Sequence, residues 1–180
     1  MACISLTALP ISCFAGIDAG IQKVYAIAFK DLKAINTGTT EVYSAATNGV
    51  VNTVGLVSGK TFVEIGLAKD ASGVTEKLTK DIAKGVSFYT QSFTLRLNDL
   101  TIENATFIQA VTNQPVAVIY KTRQGKYFII GLNGLLEVTQ SEGGTGTASA
   151  DGSGFTLTFE GSSPTVAPFI DPTIIASLVA

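Results

Sequence analysis

The sequence predicts a mainly β fold: a β-sandwich or barrel with one packed α-helix over about 99–112, and with extended loops and arms. Three observations carry that expectation. Short runs of β-branched and aromatic residues recur between clusters of Gly, Asn, Asp and Ser, as strands separated by turns do. Two runs alternate cleanly: Phe93, Leu95 and Leu97 with Thr94 and Arg96, and Phe155, Leu157 and Phe159 with Thr156 and Thr158. Such alternation sets one face of a strand on a core and the other in solvent. One stretch carries helical spacing instead, with Leu100, Phe107, Ile108 and Val111 on a single face. Strands, one helix and more strands is the order of a sandwich or barrel with a helix packed on it.

Taken in order, Ile21 to Phe29 is an apolar and aromatic run ending at Lys30-Asp31. Glu41 to Ala45 reads as a short strand, and Phe62 to Ala68 as an early strand of the core. Val86 to Leu97 is the longest strand. Val86 and Phe88 have the opposite parity to Phe93, so a bulge over Tyr89 to Ser92 is expected to reconcile the two halves. Asn98-Asp99 is placed to cap the helix, Glu103 suits its first turn, and Asn113 and Pro115 end it. Strands follow at Val116 to Lys121, Tyr127 to Leu132 and Leu135 to Thr139. Arg123-Gln124-Gly125-Lys126 forms a hairpin turn in which Gly125 supplies positive φ. Ser141 to Gly154 reads as a flexible loop and Phe155 to Glu160 as the closing strand. Pro164, Pro168 and Pro172 then interrupt any regular ladder. The division is a single domain over 1–163 and an extended C-terminal arm over 164–180. The apolar end of that arm, Thr173 to Ala180, requires a surface to dock on, in its own subunit or a neighbour. No internal repeat stands out.

With 180 residues the chain is long enough to bury a real core. Charged residues make up only 14%, against about a quarter in typical soluble domains. A surface poor in charge is either rich in Ser, Thr, Asn and Gly or covered by partners, as in an obligate oligomer. Net charge is −2 with no basic block, so there is no footprint for tight nucleic-acid binding. No apolar run reaches membrane-spanning length. Met1 to Gly20 is apolar but lacks the basic start of a secretory signal, and Leu9-Pro10-Ile11-Ser12-Cys13 matches a lipoprotein box only faintly. Cys3 and Cys13 are too few for a disulfide scaffold and read as buried thiols.

Catalytic chemistry has little to stand on. The chain has no histidine, which removes Ser-His and Cys-His pairs and the commonest metal ligand. Gly55-Leu56-Val57-Ser58-Gly59-Lys60-Thr61 resembles a phosphate-binding loop, but its spacing is one residue short. Phe62-Val63-Glu64-Ile65 after it looks like a strand, where that loop needs a helix N-terminus. Gly143-Gly144-Thr145-Gly146 lacks the dinucleotide spacing, and Asp151-Gly152-Ser153-Gly154 lacks the carboxylates of a calcium loop. Asn104-Ala105-Thr106 matches a glycosylation acceptor but falls inside the expected helix. No pair of Asp or Glu residues is placed as acid and base, so no catalytic, cofactor or metal residues are assigned. Arg96, Lys121 and Arg123 suit either a partner-facing surface or a solvated strand face.

Three stretches carry a resemblance. They are Met1-Ala2-Cys3 with Cys13 and Gly20-Ile21-Gln22-Lys23-Val24-Tyr25-Ala26-Ile27; Gly125-Lys126-Tyr127-Phe128-Ile129-Ile130-Gly131; and Asp151-Gly152-Ser153-Gly154-Phe155-Thr156-Leu157-Thr158-Phe159-Glu160-Gly161 followed by a Pro. In order and character they resemble small virion proteins of phages of gut bacteria, and among phage proteins the tail tube (major tail) family, with Val86 to Glu160 as the region of match. The resemblance implies a non-enzymatic structural protein without cofactors. It implies a β-sandwich or barrel flanked by a helix, six copies in a ring, and rings stacked into a tube through which DNA leaves the head. Its partners would be itself, other phage tail proteins and DNA in transient passage, with no membrane. Its location would be the virion, after synthesis in the host cytoplasm. Six copies multiply the net charge of −2 to −12 per ring, compatible with DNA that slides without sticking. Residues 30–60 fit the family less cleanly and suggest an insertion or a ring-to-ring arm. The same composition suits a capsid decoration or head-to-tail connector protein. An adhesin or carbohydrate-binding module would need an exposed aromatic platform, and the chain has no Trp.

Overall fold

A computed structural model describes residues 19–45, 49–67, 70–147 and 152–179. Cys3, Cys13 and the faint lipoprotein box lie outside them. Ten strands and two α-helices form among the described residues, and every strand ladder is antiparallel. The strands are β1 (Ile21–Ala28), β2 (Tyr43–Ala45), β3 (Val51–Val54), β4 (Val63–Ile65), β5 (Gly73–Asp81), β6 (Val86–Asn98), β7 (Val116–Thr122), β8 (Tyr127–Ile130), β9 (Glu137–Gly144) and β10 (Gly154–Ser163). The helices are α1 (Ile102–Thr112) and α2 (Pro172–Leu178). The mainly β expectation is met.

Two four-stranded sheets stack face to face, in strand orders β4-β1-β7-β8 and β5-β6-β10-β9. The first lies in the middle of the molecule, and its sequence says why. Val24 to Ile27 in β1 and Val116 to Tyr120 in β7 are unbroken apolar runs, and every one of these residues is buried. A strand covered on both faces reads as a continuous apolar run rather than an alternation. Val24, Ala26, Val118 and Tyr120 face the second sheet, meeting Phe93, Leu95, Leu157 and Phe159. Phe93 and Phe159 stack there with ring centroids 5.4 Å apart. On the opposite face, Tyr25, Ile27, Ala117 and Ile119 pack on Val42, Val51, Val54, Ile170, Ile175 and Leu178. In the second, outer sheet the inner strands β6 and β10 alternate because only one face is covered.

Several expectations require correction. The bulge over Tyr89 to Ser92 is absent: β6 is a continuous strand of 13 residues, in unshifted register with both β5 and β10. Val86 and Phe88 need no bulge, because they lie on the solvent face. The helix starts at Ile102, capped by Thr101, whose hydroxyl accepts the Asn104 N–H at 3.2 Å. Asn98-Asp99 instead forms the turn before it, with Asp99 at positive φ and Asn104 Nδ2 donating to both carbonyls. Leu100 is therefore outside the helix and exposed. The expected loop at Ser141 is strand through Gly144, because β9 pairs with the closing strand from Gly154 to Glu160.

The largest difference is at the C-terminus. In place of an extended arm over 164–180, the chain folds back on its own middle sheet. Phe128 bridges Phe169, the Ile129 N–H donates to the Pro168 carbonyl at 3.2 Å and the Ile170 N–H to that of Tyr127 at 3.0 Å. Asp171 then caps α2 through the Thr173 N–H, and Pro172 starts it, a pairing that suits a helix N-terminus. The described residues between 30 and 60 likewise pack on the middle sheet. Val51 and Val54 of β3, with Val42 just before β2, join the second core.

Candidate assembly surface

The two sheets differ in how their edges end. The β8 edge of the middle sheet is covered by the Pro168–Ile170 backbone, and Phe62, just before β4, is bridged to Val179. The outer sheet has no such covering. Among the described residues β5 pairs only with β6, and β9 only with β10, so each leaves a row of unpaired N–H and C=O groups. An uncovered edge is a template for another chain, and proteins normally blunt it.

The charges on the two edges differ in sign. On β5, Glu76 is engaged inward: its Oε1 accepts from Gln91 Nε2 at 2.9 Å and from the Ala167 N–H at 2.8 Å. Asp81 closes the β5–β6 turn, accepting the Ala83 and Lys84 N–H groups at 3.0 and 3.2 Å and pairing with Lys84 at 3.6 Å. Lys77 and Lys80 remain, with no ion pair among the described residues. On β9 the charged residues are Glu137 and Glu142, again without a cation. Glu137 also lies directly opposite Glu160, both exposed. Like charges facing across a ladder repel, and an incoming cation would relieve them.

The solvent face of the outer sheet is lined with hydroxyls. Thr75, Thr90, Ser92, Thr94, Thr156 and Thr158 share one parity across β5, β6 and β10. Arg96 lies among them and donates to Thr156 Oγ1 at 3.2 Å. Of the other cations singled out from sequence, Lys121 lies over the Tyr127 ring at 5.6 Å and Arg123 pairs with Asp70. These contacts are local, and the two residues are not brought together with the sheet edges. Lys23 sits beside Glu64 at 3.0 Å, and this partner raises its ammonium pKa above the ordinary value.

The segment resembling a phosphate-binding loop is structural. Gly55 is pressed against residue 33, where a Cβ would meet the Lys33 carbonyl oxygen at 2.1 Å. Lys60 pairs with Asp31 at 3.6 Å, and Phe62 leads into β4. Asn104 is occupied in the turn before its own helix. Among the described residues no cluster of His, Cys, Asp and Glu could hold a metal ion, and no helix is long and apolar enough to cross a membrane. Strand edges with unlike charge were not assigned from sequence, because β5 carries no alternating apolar signal that would mark it as a strand. No known family model, curated protein or solved structure matches this chain.

Proposed function

We propose that this chain is a structural subunit that assembles with copies of itself, and that it does so as the tail tube protein of a phage virion. One observation supports the reading: among the described residues the outer sheet has two uncovered edges whose unpaired charges differ in sign, while the C-terminal segment covers the β8 edge of the middle sheet. Four antiparallel strands make β5 and β9 run opposite to each other. The β9 edge of one copy thus meets the β5 edge of the next in the antiparallel sense, and Lys77 and Lys80 approach Glu137 and Glu142. Repetition of that contact about an axis closes the sheets into a barrel without edges. The hydroxyl-lined face is the side that suits a channel, since scattered charges of both signs give DNA phosphates little to adhere to.

Charge reversal tests the edge pairing. The Lys77→Glu, Lys80→Glu chain places like charges on both edges and is expected to sediment as a small species where the parent assembles. Adding Glu137→Lys and Glu142→Lys to the same chain restores unlike edges and is expected to restore assembly. A two-site variant that assembles as the parent does would remove this edge from the account.

A further inference from the structure

The edge of the middle sheet away from β8 is open over most of its length. Among the described residues β4 pairs with β1 alone, and only Phe62, just before it, meets the C-terminal segment. A trough runs between this edge and α1. Its two halves, of about 410 and 370 Å³, share Val63 and Phe107, so it is continuous along the helix. Leu67 and Leu97 line one half, and Ala110 and Val111 the other. Val63 is 61% exposed to it. Glu64 is taken up by Lys23 and Asp31 by Lys60, and Glu103 stands exposed at the rim. The trough therefore selects its occupant on shape and apolar surface, not on charge.

The chain supplies such a segment at one end of the trough. Residues 1–18 precede the described part, and Asp18 is their one charged side chain. They enter β1 beside the trough: Ile21, at the start of β1, and Leu67, in the trough wall, pack on the same core. Gly20, at a φ of 108°, breaks the extended run just ahead of β1. In extended chain Ile11, Cys13, Ala15 and Ile17 share one face, with Ser12, Phe14 and Gly16 on the other. These seven residues span about 23 Å at strand rise. The 11 residues of α1 span about 16 Å at helical rise, so the segment next to β1 is long enough to fill the trough. We propose that residues 11–17 lie in the β4–α1 trough of their own chain, with the Ile11 to Ile17 face inward and the backbone paired along the open β4 edge. The segment then closes the last open edge of the middle sheet and leaves the two edges of the outer sheet as the places where another copy can add. The inference does not depend on the self-assembly reading.

The test is a photoreactive benzophenone amino acid at position 103, on the exposed rim, in an equal mixture of full-length ¹⁴N- and ¹⁵N-labelled chains, illuminated and mapped by mass spectrometry. Links from position 103 to residues 11–17 are expected, with both linked peptides carrying the same isotope. Ile11→Asp with Ile17→Asp places carboxylates in an apolar trough and is expected to lower the yield of these links roughly tenfold, while the circular-dichroism spectrum stays that of the parent. Mixed-isotope links overturn the proposal, because the occupant is then another copy's segment. Links that miss residues 11–17, or an undiminished yield in the two-site variant, overturn it equally. A chain that gives single-isotope links yet never assembles removes the self-assembly reading and leaves this one standing.

Discussion

Tyr120 sits in the core between the two sheets, its ring stacked on Phe128 at 5.3 Å. Burial, and secondarily the charge of Glu76, pushes its phenol well above the ordinary value of about 10. The folded chain therefore favours the neutral phenol. Its contribution to stability is complete below the unfolded pKa and is lost as pH rises through the folded one. Tyr120→Phe keeps the ring and removes the titration, so its urea midpoint is expected to fall less steeply than the parent's above pH ~10. Tyr25, also raised, leaves some slope; identical slopes for the two chains would contradict the assignment. Single residues also show the limits of reading the sequence. Gly143 looks like loop material beside Gly144, yet it lies in β9 opposite Phe155. A Cβ there would come within 2.6 Å of that ring. The ring crosses the strand where the glycine leaves room, a pairing visible only once the strands are in register.

Elements were legible in proportion to the contrast between their faces. β6 and β10 alternate because one face is covered and the other wet, and β1 and β7 are continuous because both faces are covered. β5 lacks either pattern: Thr75 to Lys80 is exposed throughout, so no apolar period marks it as a strand. β3 escaped for a related reason, as only Val51 and Val54 of its four residues are buried. For β6 the error was to assume that Val86 and Phe88 must be covered, which required a bulge that the ladders do not contain. α2 had a readable start in Asp171-Pro172, but three prolines in the segment argued for extended chain. Its docking has a measurable consequence. Leu178 is buried against the middle sheet, and its carbonyl accepts the Phe62 N–H at 2.7 Å. Leu178→Ala is expected to lower stability by roughly 2–5 kcal/mol in denaturant titration, as for other buried leucines. A change below about 0.5 kcal/mol, the usual range for surface sites, would place this helix outside the cooperative fold.

At the scale of the described residues, the chain covers the β8 edge of the middle sheet and leaves both edges of the outer sheet uncovered. The middle sheet carries its own C-terminal segment on the β8 side, and among the described residues the outer sheet ends in two uncovered edges, with Lys77 and Lys80 unpaired on one and Glu137 and Glu142 on the other. Hydroxyls cover much of the outer face, with Arg96 and Glu160 among them, while Lys77, Lys80, Glu137 and Glu142 lie on its edge strands. The fold class was legible from alternation and punctuation. The assembly surface was not, because an edge is defined by which strands lack neighbours. The most direct test is negative-stain electron microscopy of the purified chain over a concentration series, paired with its mass in solution. Rings or stacked tubes with a central channel, growing with concentration, are the predicted result. A uniform monomer at every concentration would contradict the account.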